Sequence, residues 1–96
     1  MLCPMKAVAE IQVVPIGEGV SVRAQVRRAQ GVIRESGLLV QEHSFGTNVE
    51  GDLETILEVV ARIHEVLHGE GTTRLSTAIK LGTRADKEPS LAAKLR

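Results

Sequence analysis

What most constrains this chain is the way its apolar period switches. It runs at about two residues, then about 3.6, then back, twice within 96 residues. In "AVAEIQVV", residues 7–14, Ala9, Ile11 and Val13 project to one side while Val8, Glu10, Gln12 and Val14 project to the other, as in a strand. "PIGEGVS" follows, where Pro15, Gly17 and Gly19 are expected to end the strand and Ser21 to cap a helix. Val22, Val26, Ala29 and Ile33 then recur at helical spacing, with Gly31 a mild weakness inside the helix and Gly37 a left-handed stop.

The next segment, "LLVQEHSFGTNVEG", is too short and too rich in β-formers for a helix. It predicts two strands, Leu38 to His43 and Phe45 to Val49, with a hairpin or bulge at Ser44 to Gly46. Asp52 is expected to cap a second helix whose Leu53, Ile56, Leu57, Val60, Ile63 and Leu67 form one apolar stripe, closed by Gly69 and Gly71. A last strand alternates Leu75, Thr77 and Ile79 against Arg74, Ser76, Ala78 and Lys80. The charged tail from Thr83 to Arg96 has Pro89 and Ser90 placed to start a short terminal helix. The order β-α-β-β-α-β is that of a single ferredoxin-like α+β domain spanning 1–96. In such a fold two helices cover one face of a four-stranded antiparallel sheet, and residues 1–6 are expected to be a flexible lead-in.

An open sheet face carrying Val8 and Val14 requires either solvent or a partner, and pairing sheet to sheet with a second copy is the natural solution. Composition supports that direction. Twelve Lys+Arg balance twelve Asp+Glu, so there is no electrostatic drive toward nucleic acid or an anionic membrane, and low net charge favours self-association. Phe45 is the single aromatic residue, which removes the row of rings that stacks on single-stranded bases. The lone Cys3 cannot form an intramolecular disulfide, and neither a bilayer-length apolar run nor a signal-peptide core is present, so the expected compartment is the cytoplasm. Met5 directly precedes the first strand, which leaves the start site open between Met1 and Met5.

Three stretches carry chemistry. "HEVLHGEGTTR", from His64 to Arg74, matches the H-E-x-x-H helix of zinc peptidases and its x-x-G-x-x extension, except that Arg74 stands where a third histidine belongs. At about 100° per residue from Val60, His64 falls about 40° and His68 about 80° off the apolar centre, whereas Glu65 is about 140° away. A zinc enzyme needs that glutamate beside the metal-bound water. Here it faces solvent, and a guanidinium does not ligate zinc. The alternative of a zinc-dependent hydrolase on His64-Glu65-x-x-His68 is therefore disfavoured; the pair suits adventitious metal only. "PIGEGVS" can aim backbone N–H groups at an anion, yet G-x-G alone more simply permits a tight turn. "SFGTNVEGD" places Ser44, Thr47, Asn48 and Glu50 along a strand and its end, with Thr47 and Val49 on one face and Ser44, Gly46 and Asn48 on the other. These neutral hydrogen-bonding groups suit an uncharged or singly charged heterocycle better than a metal or polyphosphate. Strand and turn preferences alone also account for the stretch. No nucleophile has a base beside it, and Cys3, His43 and the carboxylates lack a defined geometry for catalysis.

Taken together, "VVPIGEGVSV", "GTNVEGDLETILEVVARIHEVL" and "STAIKLGTRADKEPSLAAKLR" resemble the small thiamine-binding protein family, ferredoxin-like domains for thiamine or its hydroxymethylpyrimidine moiety, from about Ala7 to Leu95. The specific pieces are Pro15, Gly17, Gly19 and Ser21; Gly46, Thr47, Val49, Glu50 and Gly51; the Ile63-His64-Glu65 triplet; and Arg84, Asp86 and Lys87 in the tail. The family commonly has another residue at the position of His68, so the resemblance implies that H-E-x-x-H arose by one substitution. It further implies a binding protein without catalytic or cofactor chemistry, acting as carrier, buffer or sensor, and dimers that pair into tetramers through the sheets. A structural or regulatory oligomer without ligand is the remaining alternative. Matched positions make Ser21, Thr47 and Glu50 the leading polar contacts, with Gln12, Gly46 and Asn48 nearby. Asn48 stands where an apolar residue is frequent, and Phe45 where Met or Pro is. Phe45 is expected either to stack on a pyrimidine ring or, more commonly for a lone Phe in a strand, to enter the core.

Overall fold

The computed structural model describes residues 5–17 and 22–94. Its elements run β1 (Lys6–Ile16), α1 (Arg23–Arg34), β2 (Leu39–His43), β3 (Gly46–Asp52), α2 (Leu53–Gly69), β4 (Arg74–Thr83) and α3 (Leu91–Lys94). The sheet is antiparallel throughout, in the order β2-β3-β1-β4. This is the expected ferredoxin-like arrangement. No helix among the described residues is long and apolar enough to cross a membrane.

Alternation along β1 builds the core. Ala7, Ala9 and Ile11 are buried under the helices with Val49 of β3, and Val13 packs against them. From α1 come Ala29, Val32 and Ile33; from α2 come Ile56, Val59, Ile63 and Leu67. Leu57, expected in the α2 stripe, is instead 49% exposed. One residue on from Ile56 is about 100° around the helix, so Val59 takes the inward place that Leu57 misses. The stripe ends where Gly71, at φ +108°, turns the chain so that the Thr72 N–H reaches the Leu67 carbonyl at 2.9 Å.

Several boundaries differ from expectation. Pro15 does not end β1: it lies within the strand, paired with Leu75 of β4. Pairing between β1 and β3 stops at Ile11–Thr47, so this stretch of β1 has a free edge, where a residue without an N–H is tolerated. Lys6, expected in a loose lead-in, opens β1 and pairs with Asp52, and just before it the Met5 carbonyl accepts the Leu53 N–H at 2.8 Å. Asp52 occupies the N-cap position of α2, but its carboxylate makes no capping bond and accepts the Lys6 ammonium at 2.6 Å. Ser21, the expected cap of α1, lies outside the described residues, as do Gly19 and Cys3; Val22 holds the N-cap position without a side-chain bond.

The second sheet face is not uniformly open. Register puts Val8, Glu50 and Gly82 on it together. There the Leu91 N–H at the start of α3 donates to Glu50 Oε1 at 2.7 Å, Pro89 is buried and Val8 is only 3% exposed. The C-terminal segment thus covers one end of this face, and Val14 and Ile16 remain exposed at the other.

Candidate functional site

The site begins with the length mismatch in the sheet. Beyond Ile11, β1 runs on beside β4 alone to Ile16, because β3 has already turned back at Gly46. Two residues, Ser44 and Phe45, connect the paired ends His43 and Gly46. The hairpin presses close to β1 at its root: a Cβ on Gly46 would lie 2.8 Å from the Ile11 carbonyl oxygen, closer than real side chains approach. Glycine here is a requirement of backbone approach, whatever it does for a ligand.

Between β1, the hairpin and the flank of α1 the mismatch leaves a cavity of about 190 Å³. Its apolar wall is Ile11, Val13, Val26, Ala29 and Ile33, and its polar groups come from Gln12, Gln30, Ser44 and Thr47. Thr47 is the most telling of these. It sits opposite Ile11, faces the helices, is 2% exposed, and its hydroxyl makes no hydrogen bond to the described residues. Among the described residues no buried side-chain polar atom lacks a partner, so this hydroxyl opens onto the cavity, where water or a ligand can satisfy it. Apart from His43, no described lining residue is ionisable.

His43 fixes the mouth. Its Nδ1 accepts the Phe45 N–H at 3.3 Å, which in the neutral ring leaves the proton on Nε2. That nitrogen lies 3.2 Å from Glu10 Oε2 and 3.2 Å from Asn48 Oδ1, and the Asn48 amide donates onward to Gln41 Oε1 at 3.3 Å. The hairpin turn is thereby tied to a polar network on the opposite face of the sheet. Phe45, expected more often in the core, is 77% exposed at the tip, because it belongs to the turn and not to β3.

The seven residues singled out from sequence therefore separate. Gln12, Phe45, Gly46 and Thr47 come together around the cavity. Asn48 points to the other sheet face, where it lines a second cavity of about 380 Å³ with Glu10, Gln41, Lys80 and Leu91. Glu50 is engaged with α3, and Ser21 lies outside the described residues. Sequence reasoning missed Val26 and Gln30. Their signal was present: Gln30 follows Val26 by one helical turn and sits beside the inward Ala29, an uncharged polar group where the apolar stripe meets the surface.

Helix phase holds for the histidine motif. His64 Nε2 lies 2.7 Å from Thr77 Oγ1, and His68 Nδ1 donates to the Thr72 carbonyl at 2.7 Å, so both rings brace α2 against the chain entering β4. Glu65 is exposed; His68, expected at the core border, is exposed too. Among the described residues no group of three or more His, Cys, Asp or Glu side chains is placed to hold a metal. In the tail, the Arg84 guanidinium grips Asp86 at 2.9 and 2.6 Å and holds its carboxyl below the ordinary value. Hydrogen bonding to Asp52 likewise raises the Lys6 ammonium. Neither pair lines the cavity beside α1.

Comparison with known proteins agrees with the fold. A UPF0045 protein from Synechocystis sp. is 36% identical over 92 residues, covering 96% of this chain and 76% of that protein. Another from Eremothecium gossypii is 35% identical over 92 residues, covering 95% and 88%. The crystal structure of a hypothetical protein from Methanocaldococcus jannaschii superposes with a TM-score of 0.88 at 34% identity, over 95% of this chain and 93% of that one. Residues 9–96 match the family model described as "Thiamine-binding protein", and with that match over nearly its whole length the chain belongs to the thiamine-binding protein family.

Proposed function

We propose that this protein binds thiamine or its hydroxymethylpyrimidine moiety in the cavity beside α1, as a cytoplasmic carrier, buffer or sensor that performs no chemistry on its ligand. The observation that carries the reading is the Thr47 hydroxyl, on a residue only 2% exposed, which has no partner among the described residues and opens onto a half-apolar cavity. Such a group is satisfied by a heterocycle that brings its own donor and acceptor. Gln12 and Ser44 at the rim supply further neutral contacts, and Phe45 at the tip is free to fold over a bound ring, a stacking contact worth about 0.5–1.5 kcal/mol. Asn48 and Glu50 act on the far face, through the His43 network and the α3 bond. Ser21 keeps its proposed role on motif position alone.

The exposed Val14 and Ile16 mark where a second copy would pair, giving homodimers that assemble into homotetramers; native mass spectrometry showing monomer alone would remove that part. For the ligand, isothermal calorimetry of the intact protein with thiamine and with hydroxymethylpyrimidine tests the reading. Saturable binding that weakens about tenfold or more in Thr47→Val is expected, given the cost of leaving a ligand group unpaired. No heat from thiamine, its phosphates or the pyrimidine would overturn it.

A further inference from the structure

Two features of the cavity narrow its ligand beyond the family's name. Its volume, about 190 Å³, is below the roughly 300–1,000 Å³ of pockets that enclose drug-sized molecules, so it takes one ring and not two linked rings. Its described lining also carries no carboxylate to balance a cationic ring, and Glu10, which meets His43 at 3.2 Å, lines the cavity on the other face. A neutral heterocycle fits inside; a charged one stays at the mouth.

The second feature is Gln30. It stands on the α1 side of the cavity, half-buried, and its carboxamide makes no hydrogen bond to the described residues. Thr47 lies on the helix side of the sheet as well, whereas Gln12, one residue after the inward-facing Ile11, borders the cavity only at its rim. A carboxamide presents one acceptor and one donor side by side. That pair is complementary to a ring nitrogen next to an exocyclic amino group, which is how glutamine and asparagine read adenine. We infer that Gln30 is the specificity-determining residue of the cavity: its carboxamide makes a two-point contact with the amino-and-ring-nitrogen edge of a single neutral aminopyrimidine, while Thr47 receives another polar group of the same ring. A thiazole or thiazolium ring has no such edge and is excluded from the inner site. This inference rests on the proposed binding reading and adds which edge is read and by which residue.

The test is a double-mutant cycle between protein and ligand. Calorimetry measures wild type and Gln30→Met with 4-amino-5-hydroxymethyl-2-methylpyrimidine and with the same molecule lacking its amino group. A two-point contact worth ~1–3 kcal/mol corresponds to roughly 5- to 150-fold in affinity. Wild type is expected to prefer the amino compound by at least about fivefold, and Gln30→Met to lose that preference, weakening the amino compound by at least about fivefold more than the desamino compound, which has only the ring-nitrogen bond to lose. Circular dichroism of the variant checks that α1 is intact, and restoration of the preference in Gln30→Asn with a shortened reach of the same group would support direct contact. If Gln30→Met weakens both compounds alike, or leaves the preference unchanged, the Gln30 assignment is wrong although the cavity still binds a pyrimidine. If wild type binds neither compound, the binding reading itself fails.

Discussion

The two halves of β1 obey the same alternation and end up doing different things. From Ala7 to Ile11 the strand has β3 on one side and β4 on the other, and its inward side chains disappear into the core. From Gln12 to Ile16 only β4 remains, and side chains of similar character line a cavity or stay exposed. The pattern of side chains did not change between the halves; the number of neighbours did. A binding site arises here because a sheet is one hairpin short of closing over its own central strand.

That contrast can be broken from the closed half first. Ile63→Ala, in the core cluster that also holds Ala7, Ala9 and Ile11, removes a side chain with no exposure and is expected to cost about 2–5 kcal/mol in denaturant unfolding. If it costs less than about 1 kcal/mol, the core is not where the register places it. Gly46→Ala acts at the boundary between the halves. With the Ile11 carbonyl 2.8 Å from the new methyl, the hairpin must move off β1; about 1–3 kcal/mol of stability and most pyrimidine binding should go together. Retained binding would show that the hairpin root does not shape the cavity. In the open half Phe45→Ala should leave stability within about 0.5 kcal/mol, because the ring is largely in solvent, yet weaken ligand binding by about 0.5–1.5 kcal/mol if it stacks. The smallest effect belongs to the tail. Asp86→Asn breaks an exposed pair and should leave ligand affinity as in wild type. Because Arg84 depresses the folded-state value of Asp86, what that pair adds is present above the ordinary carboxylate range and fades only as pH falls through the lowered value, so the variant and wild type should converge in acid.

How much of this was legible in the sequence follows the same division. Element order, both helices and the inward faces of β1 and α2 are local properties, set by period and by glycine stops, and they read correctly except where Leu57 and Val59 compete for one position. The strand ends were harder, because whether Pro15 stops a strand depends on whether a neighbour needs its N–H, which is a tertiary fact. The candidate site was half legible. Gly46 and Thr47 belong to one short motif and stay together, while Asn48 and Glu50, on either side of the inward Val49, fall on the other face. Gln30 is distant in sequence from the hairpin whose residues share its cavity, and its place at the edge of the α1 stripe is a signal that a surface amide would give as well. The H-E-x-x-H motif shows the opposite case, a strong local signature whose side chains go to bracing α2 against Thr72 and Thr77.

The central claim is that the ligand enters where β1 outruns β3. Titrating the isotope-labelled protein with hydroxymethylpyrimidine and following backbone amide and methyl resonances tests it directly. Shifts concentrated at Ile11, Val13, Val26, Gln30, Ile33 and Thr47 are the predicted result. Shifts confined to Val8, Asn48, Lys80 and Gly82, around the larger cavity on the other face, would contradict it.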